Sequence, residues 1–469
     1  MKKIVMKFGG TSLATGENVR HVANIVSNTA KKGYGLVVVV SALDGVTDQL
    51  FEAASQAQKA KQDYIQKFKQ SILERHESVI AKAIKTKQIN REIHQTIEGI
   101  IDELEKVLTG ISYVGELTPK SRDYVLSFGE RLSAPIVCGA IRDLKLQSQW
   151  FTGKDAGIVT DSNFGQADPL MNFTTHQLKE RIEPLLGKHV IPVVSGYIAA
   201  TQEGIVTTLG RGGSDYTATI LAAALSVDEV WIWTDVDGLM TADPKTIPEA
   251  RMLPELSYQE AAEMAIFGAK AMHPRALEPI IREKIPARIR NVFNPENPGT
   301  LISSDQTPKK TDAVKAVALI RDVAMINVGG AGMVGAPGSY ARVLDVLSRS
   351  GVNVMMISAA VSEANISLVV RRNLLGRALS ALEIAVLGKG LVSEVTSEDD
   401  VCVVAAMGAK MKGTLGVASR VFTAVANKGI NIRMIAQGSS ELNISFVVKE
   451  EDCVAVVRAI HEEFKLGKT

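Results

Sequence analysis

The last third of the chain repeats itself, and this repeat constrains the fold more than any other feature of the sequence. Residues 330–370 match residues 408–448 when one segment is laid on the other at a spacing of 78 residues. The matched positions include several glycines and the run Asn-Ile-Ser, which begins at Asn365 and again at Asn443. Each copy reads as strand, glycine loop, helix, strand, turn, strand and helix. Two copies are too few for a solenoid, so we expect two small α+β modules that pack side by side or against a second chain.

The first part of the chain alternates between strand-like and helix-like segments. The clearest strand-like runs lie at 4–8, 36–40, 190–197, 230–234 and 287–292. Helical patterns separate these runs, as in a series of βαβ units. The alternation predicts an α/β fold in which a mostly parallel sheet is sandwiched by helices.

Two changes of composition suggest how the chain is divided. Residues 51–98 contain neither Gly nor Pro, and the Ile and Leu residues from Ile89 to Leu108 recur at helical spacing, which predicts a helical insertion at about 51–115. Near residues 294–311 the sequence becomes rich in Pro, Asn, Gly, Ser and Lys. We therefore predict an α/β domain over 1–300 and a repeat domain over 301–469, with repeat units at about 324–395 and 401–469.

Composition excludes several classes of function. The 53 basic and 51 acidic side chains nearly cancel, so no charged field attracts nucleic acid. No signal segment opens the chain and no apolar run approaches about 20 residues, so we expect a cytoplasmic protein without a membrane partner. The three cysteines are widely spaced in apolar surroundings, which predicts buried thiols. No His or Cys cluster has metal-ligand spacing, and we assign no metal ligands.

A lysine and two glycines follow the first predicted strand. In the run Lys7-Phe8-Gly9-Gly10-Thr11-Ser12, the glycines let the backbone approach an anion and the following helix aims free N–H groups at it. The run therefore predicts a phosphate site, although strand-to-helix turns also carry glycines for purely geometric reasons. The G-x-x-x-x-G-K-[ST] pattern of the nucleotide hydrolases is absent.

A second glycine-rich run, Thr207 to Asp215, immediately precedes an apolar helix. Ser214 or Asp215 can cap that helix, and the guanidinium of Arg211 suits a carboxylate. The alternative is a capped helix with a surface arginine, but such a helix needs neither three glycines nor an arginine among them.

Three weaker elements complete the set. Trp233 to Gly238 carries carboxylates at the end of a strand, where ligands gather in open α/β sheets, although Asp237-Gly238 also suits a plain turn. Glu130 opens a helical run, and Lys270 follows Phe267-Gly268-Ala269. Taken singly, a Lys or Glu is usually a solvated surface residue.

Together these motifs resemble the aspartate kinases of the amino acid kinase family, and the resemblance covers the whole chain. The tail is similar to the tandem ACT modules that bind amino acid effectors in those kinases. The motifs that occur in the family's order are KFGGTS at 7–12, VVSA at 39–42, SFGERLS at 127–133, TTLGRGGSD at 207–215, WTDVDG at 233–238 and FGAK at 267–270.

The resemblance implies transfer of the γ-phosphate of ATP, with Mg²⁺, to the β-carboxylate of L-aspartate. The product is 4-phospho-L-aspartate, and the reaction is the first step of lysine, threonine and methionine biosynthesis. Two alternatives stay open: an amino acid kinase with another acceptor, such as glutamate, and a non-catalytic amino acid sensor. No dinucleotide-binding sequence follows the repeats, so we expect no fused homoserine dehydrogenase.

The resemblance also assigns roles to residues. The implied catalytic residues are Lys7, Asp215 and Lys270. Those implied to bind ATP are Lys7, Gly9, Gly10, Thr234, Asp235, Met240, Lys245 and Lys270. Those implied to hold aspartate are Ser41, Thr47, Glu130, Arg211, Gly212, Ser214 and Asp215. Those implied to bind an effector are Met333, Ser362, Asn365, Ile366, Gln437, Asn443 and Ile444.

Some positions depart from the family pattern. Met240 stands where many members carry tyrosine and Lys245 where arginine is usual, so the residues implied to surround the adenine match the family less well than those implied to hold the phosphates. In the tail, Ala359 occupies the repeat position held by Gln437, so we expect the two modules to differ in effector binding. We expect threonine first and lysine second as the effector, and a homodimer or higher homo-oligomer formed through the ACT modules.

Overall fold

The computed structural model describes residues 1–267, 272–304, 313–387 and 392–467. These residues form two compact units. The first contains residues 1–239, 254–262 and 272–304, and the second contains residues 240–253, 263–267 and the described chain from 313 onward. None of the described helices combines the length and apolar character needed to span a membrane.

The chain up to residue 304 alternates between strands and helices, as its sequence predicts. The strands are β1 (Lys3–Phe8), β2 (Gly35–Val40), β3 (Ser148–Phe151), β4 (Ile191–Ser195), β5 (Ile198–Ala200), β6 (Val206–Thr208), β7 (Glu229–Thr234), β8 (Glu255–Ser257), β9 (Ala287–Asn291) and β10 (Thr300–Ser303). The helices are α1 (Gly16–Ala30), α2 (Val46–Gln58), α3 (Gln62–Ala83), α4 (Lys87–Val114), α5 (Pro119–Asp143), α6 (Gly153–Ala156), α7 (Met171–Arg181), α8 (Glu183–Gly187), α9 (Gly213–Leu225), α10 (Tyr258–Ile266) and α11 (Pro274–Glu283).

Eight of these strands form one sheet in the order β3-β4-β2-β1-β7-β9-β10-β8. Its pairings are parallel except for β9 with β10, which confirms the prediction of a mostly parallel sheet. Every residue of β2 is buried, as expected for a strand covered on both faces. Because β4, β2, β1 and β7 are parallel neighbours, their carboxyl ends meet at one edge of the sheet.

Helices α2 to α5 fill the chain between β2 and β3. The regularly spaced apolar residues of α4, such as Ile97 and Leu104, are buried against α3 and α5. One glycine of α5 is needed for close packing, because a Cβ at Gly129 would lie 2.8 Å from the Cβ of Ala42. Gly129 therefore lets α5 lie directly against the end of β2, and it places its neighbour Glu130 beside the carboxyl edge of the sheet.

The second unit contains the two repeats. Its strands are β11 (Ala316–Gly329), β12 (Val354–Ala359), β13 (Asn365–Arg371), β14 (Glu394–Met407), β15 (Met434–Ala436) and β16 (Asn443–Lys449). Its helices are α12 (Ser339–Arg349), α13 (Leu375–Leu382), α14 (Val417–Ala426) and α15 (Cys453–Glu463). The strands form one antiparallel sheet in the order β12-β13-β11-β14-β16-β15. The predicted pair of α+β modules is confirmed.

The two modules exchange strands. The first part of β11, residues 316–320, pairs with residues 403–407 of β14, which also pair with β16. The later part of β11, residues 323–329, pairs with β13 on one side and with residues 394–401 of β14 on the other. Each repeat therefore supplies one strand to the sheet of the other.

The three cysteines, Cys138, Cys402 and Cys453, are buried and form no disulfide, as predicted.

Candidate active site

A cavity of about 570 Å³ opens in the first unit beside the carboxyl ends of β1 and β2 and the start of α9. Residues from several separate segments line it, although they lie far apart in sequence. The lining residues that the sequence predicts for the site are Lys7, Gly10, Ser41, Thr47, Glu130, Arg211, Gly212, Ser214 and Asp215.

Lys7 forms an ion pair at the cavity wall. It lies in β1 opposite Val39 of β2 and Ile232 of β7, so two neighbouring strands fix its backbone. Its Nζ atom is 2.6 Å from Oδ1 of Asp215, and the two side chains are only 12% and 16% exposed. Asp215 lies in the first turn of α9, where the helix dipole also favours a negative charge. The ammonium is therefore held in place beside the cavity.

The predicted glycine loop bends sharply before α9. Gly210 and Gly212 have φ angles of 75° and 72°, in the left-handed region that favours glycine. A Cβ at Gly212 would lie 2.5 Å from the Cβ of His273. Within the described part of the chain, the exposed guanidinium of Arg211 has no hydrogen-bond or ion-pair partner. The loop is thus tightly packed, while its arginine is available to a ligand.

An arginine that the sequence analysis did not identify supports this loop from behind. The guanidinium of Arg275 donates hydrogen bonds to the carbonyls of Leu209 and Ala167, at 3.0 and 2.8 Å, and to the carboxylate of Asp168. It also lies 5.0 Å from the ring centroid of Tyr216. His273, to which the sequence analysis gives no role, accepts a hydrogen bond from the backbone N–H of Arg275 and caps α11.

Glu130 is a buried carboxyl that faces the cavity. It is 4% exposed, and within the described residues its Oε2 atom has no hydrogen-bond partner. Burial raises the pKa of Glu130 to about 8, although a backbone hydrogen bond from Ala42 and the positive charge of Lys7 oppose the shift. A buried and unpaired carboxyl is suited to receive a cationic group of a ligand.

Three further cavity residues, Arg122, Asp123 and Tyr197, escaped the sequence analysis. Asp123 is fully buried and accepts hydrogen bonds from the N–H of Gly165 and from the N–H and hydroxyl of Thr208, at 2.8, 3.0 and 2.9 Å. Burial raises its pKa, and these hydrogen bonds oppose the shift. Asp123 lies two helical turns before Glu130 on α5, and this i, i+7 spacing is the signal that could have identified it.

Tyr197 has a left-handed backbone with a φ angle of 67°, which is unusual for an aromatic residue. Its N–H donates a hydrogen bond to the hydroxyl of Thr217, and its carbonyl accepts one from the N–H of Leu209. Burial raises the pKa of Tyr197 to about 12. The residue joins the end of β4 to the glycine loop, and no sequence pattern indicates its conformation.

The amino acid kinase family model matches residues 2–291, and the ACT domain model matches residues 326–386 and 404–464. The chain belongs to the amino acid kinase family. It is 35% identical, over 99% of its length, to the bifunctional aspartokinase/homoserine dehydrogenase 1 of Arabidopsis thaliana, and it spans about half (51%) of that relative. It is 32% identical to aspartokinase 1 of the same plant, over 98% of this chain and 80% of the relative.

Solved structures of an aspartokinase share the fold of this chain. E. coli aspartokinase III in complex with aspartate and ADP (R-state) superposes with a TM-score of 0.79 at 30% identity, covering 98% of this chain and 99% of that one. The same enzyme in complex with lysine and aspartate (T-state) gives a TM-score of 0.80 at 30% identity, covering 99% and 100% of the two chains. The family and ACT resemblance predicted from the sequence is confirmed.

The residues predicted to bind ATP are distributed over both units of the chain. In the first unit, the N–H of Gly9 donates to the carbonyl of Trp233 at 3.4 Å, and the Thr234 hydroxyl donates to Asp235 at 3.2 Å. In the second unit, Met240 packs against the apolar core of the second repeat, and the backbone N–H of Lys245 donates to Asp243. Lys270 lies outside the described residues. Their role in nucleotide binding stays a prediction.

The residues predicted to bind an effector fall into two groups. The side chains of Met333, Ile366 and Ile444 are buried in the module cores. Ser362, Asn365 and Gln437 are exposed at the ends of strands or in turns, and the Asn443 amide donates a hydrogen bond to Glu263 within the second unit.

The two repeats stabilise their glycine loops in the same way. Oε2 of Glu363 accepts a hydrogen bond from the N–H of Gly335 at 2.9 Å, and Oε2 of Glu441 accepts one from the N–H of Gly413 at 2.8 Å. Both glutamates have left-handed φ angles, 56° and 55°.

No group of three or more His, Cys, Asp or Glu side chains gathers at a possible metal site in the described ranges.

Proposed function

We propose that the protein is an aspartate kinase that transfers the γ-phosphate of ATP to the β-carboxylate of L-aspartate. The observation that carries this proposal is one cavity lined by the ammonium of Lys7, the free guanidinium of Arg211 and the buried carboxyl of Glu130. These groups complement an amino acid with two carboxylates and one ammonium. The binding of aspartate and ADP by E. coli aspartokinase III, of similar structure, supports the same conclusion.

In this proposal the protein positions charges and abstracts no proton. A carboxylate with a pKa near about 3.9 is already ionised at neutral pH and needs no general base. Arg211 clamps the α-carboxylate and Glu130 receives the ammonium, which leaves the β-carboxylate free to attack. Lys7 reduces the repulsion between this carboxylate and the γ-phosphate, and Asp215 holds Lys7 in position.

The nucleotide is proposed to enter with Mg²⁺, which would neutralise phosphate charge. In kinase sites Mg²⁺ is usually bound by substrate phosphates together with one or two carboxylates. The Gly9-Gly10 turn offers backbone close to the phosphates, and Thr234, Asp235, Met240, Lys245 and Lys270 remain the proposed surroundings of the nucleotide.

An acceptor assay tests the proposed activity. The purified protein is incubated with MgATP and L-aspartate, ADP release is followed, and hydroxylamine traps the acyl phosphate. We expect aspartate-dependent ADP release with an equal amount of the hydroxamate. Turnover with L-glutamate in place of L-aspartate would indicate the alternative acceptor. Binding of amino acids without turnover would indicate a sensor and contradict the proposal.

We further propose that residues 1–300 are the catalytic domain and residues 301–469 a regulatory domain, in which tandem ACT modules bind an end-product amino acid. Threonine and lysine are the two candidates, and the lysine complex of E. coli aspartokinase III supports the second. ACT modules of two chains are proposed to pair into a homodimer. Kinase assays with each amino acid, together with light scattering, test these points. Activity that is insensitive to both amino acids would contradict the regulatory proposal.

A cytoplasmic location is part of the proposal, whereas the plant relatives are named chloroplastic. Fractionation of the source cells tests it, and recovery of the protein from any other compartment would contradict it.

A further inference from the structure

Arg122 is an unpaired cation inside the candidate active site. It is half-buried near the start of α5 and lines the same cavity as Lys7, Glu130 and Arg211. In the described ranges, its guanidinium neither donates a hydrogen bond nor forms an ion pair. The other two arginines of α5 are paired, Arg131 with Glu103 and Arg142 with Glu92. Among the described residues, Arg122 therefore differs from these two arginines in having no hydrogen-bond or ion-pair partner.

The carboxylate nearest in sequence, Asp123, forms no hydrogen bond or ion pair with this arginine, although the positive charge of Arg122 helps to oppose the rise in the pKa of Asp123 that burial causes. Asp123 uses both of its oxygens to accept hydrogen bonds from Thr208 and Gly165. It thereby fixes the backbone of both segments, and its oxygens are not hydrogen-bonded to Arg122. An unpaired guanidinium in a partly dehydrated wall is costly unless a ligand supplies the missing anion.

The neighbours of Arg122 place it beside the loop that carries Arg211. A Cβ at Gly165 would lie 3.1 Å from the Nη2 atom of Arg122, and a Cβ at Gly210 would lie 3.1 Å from the carbonyl oxygen of Gly165. Arg122 therefore lies next to Gly165, and Gly165 lies next to Gly210. Arg211 is the residue that follows Gly210 in the sequence. Two arginines without a hydrogen-bond or ion-pair partner among the described residues therefore belong to neighbouring segments that line the cavity.

The charges of the wall complement one class of occupant. Lys7 is already paired with Asp215, and Asp44 lies at the exposed rim. The guanidinium groups of Arg122 and Arg211 and the buried carboxyl of Glu130 then remain to bind a ligand. An α-amino acid presents a carboxylate and an ammonium on adjacent bonds, so it can satisfy both sides at once.

We propose that Arg122 is a second specificity-determining arginine, which binds the α-carboxylate of the acceptor together with Arg211. The inference rests on the proposed kinase function and identifies a residue that binds the α-carboxylate, the group of the acceptor that does not react. Because two guanidinium groups hold the α-carboxylate, the β-carboxylate is directed away from them and towards Lys7. Arg122 thus selects acceptors that carry an α-carboxylate and contributes to ground-state binding.

Steady-state kinetics of Arg122→Ala, measured in the full chain, test this assignment. We expect the KM for L-aspartate to rise by about tenfold or more, because a charge-assisted contact is lost, while kcat and the KM for ATP change by less than about threefold. Arg122→Lys keeps the charge and should recover part of the loss. Lys120→Ala removes an exposed cation from the same helix outside this cavity, and it should leave all three constants unchanged.

A ligand that lacks the α-carboxylate charge separates this role from a merely structural one. L-isoasparagine, the α-amide of aspartate, keeps the ammonium and the β-carboxylate, and its inhibition constant against L-aspartate is measured in wild type and in Arg122→Ala. We expect the substitution to weaken the binding of L-aspartate strongly and the binding of L-isoasparagine only slightly. Equal weakening of both ligands, or an unchanged KM for L-aspartate, would overturn the assignment.

Failure of the proposed kinase function is distinguishable from failure of this inference. If the wild-type protein releases no ADP with L-aspartate, titration calorimetry with L-aspartate alone still compares wild type with Arg122→Ala. Weaker binding in the variant would then support Arg122 as a carboxylate contact without kinase activity. Absence of L-aspartate binding to the wild type would overturn both.

Discussion

Glu130 should make acceptor binding depend on pH. The pKa of this buried carboxyl is raised to about 8, so it is largely protonated in the empty site at neutral pH. An ammonium ligand requires the ionised form, and binding therefore releases a proton. We expect the KM for L-aspartate to fall as the pH rises from 6 to 8, by a factor approaching about ten per pH unit.

Glu130→Gln is the matched control for this dependence. The variant should bind L-aspartate more weakly at every pH and show a flat profile over the same range, while the KM for ATP serves as the internal reference. A pH profile identical to that of the wild type would show that another group titrates.

His76 gives a second pH effect, on stability. The imidazole is fully buried in α3, and burial lowers its pKa to about 4, whereas the unfolded chain titrates near about 6.5. Between these values the unfolded state binds more protons, so the free energy of unfolding should fall as the pH is lowered from about 6.5 to 4, by at most about 1.4 kcal/mol per pH unit from this group. The free energy of unfolding is measured by denaturant titration at several pH values. Its dependence on pH should differ between wild type and His76→Leu only in this range. His94→Leu, on α4, is the control, and parallel slopes for His76→Leu and wild type would contradict the assignment.

Some residues of the candidate site could be predicted from the sequence and others could not. Lys7, Arg211 and Glu130 stand in glycine-rich or motif-bearing runs, so their presence in one cavity could be anticipated. Arg122 and Asp123 lie in a helical stretch rich in polar residues, where a charge usually faces solvent. Asp123 is distinguished by its burial and its three hydrogen bonds, and Arg122 by having no hydrogen-bond or ion-pair partner among the described residues. Both properties depend on contacts between segments that are distant in sequence.

Helix α5 carries Asp123 and Glu130 on one face, and Asp123 ties this helix to β6. Replacing Asp123 with Asn should leave one of its three donors without an acceptor, at a cost of about 1–3 kcal/mol of stability. Because β6 leads directly into the loop of Arg211, we also expect a higher KM for L-aspartate. Thermal unfolding and kinetics are measured on the same sample, with Lys120→Ala at an exposed position of α5 as the surface control. A lower melting temperature with an unchanged KM would show that Asp123 supports the fold without shaping the site.

The main strands and helices could be predicted because apolar runs and glycine turns are local signals. The strand exchange between the repeats could not. A spacing of 78 residues shows that two modules share a pattern, but β11 and β14 are each 14 residues long and cross from one module to the other. The strand with which each half of β11 or β14 pairs depends on contacts between residues that are distant in sequence. In β11 the register shift between Ile320 and Val323 marks the point at which the strand passes from one module to the other.

Strand exchange predicts that the two ACT modules unfold together. Val317 of β11 lies in the core of the second repeat, whereas Ile326 of the same strand lies in the core of the first. Leu347 is fully buried in the first core, and Leu347→Ala should cost about 2–5 kcal/mol there. Because the modules share β11 and β14, this loss should also lower the stability of the second module.

Hydrogen exchange of the full chain measures this coupling. In Leu347→Ala the amides of β16 in the second module should lose protection together with those of β13 in the first, since opening either module frees a strand of the other. Arg349→Ala, at an exposed position two residues further along α12, should leave the protection of the amides in both strands unchanged. If only β13 loses protection, the modules open independently, and an effector bound to one of them could not act on the other through the shared strands. Loss of protection in both would make β11 and β14 the physical link through which one bound amino acid stabilises both modules.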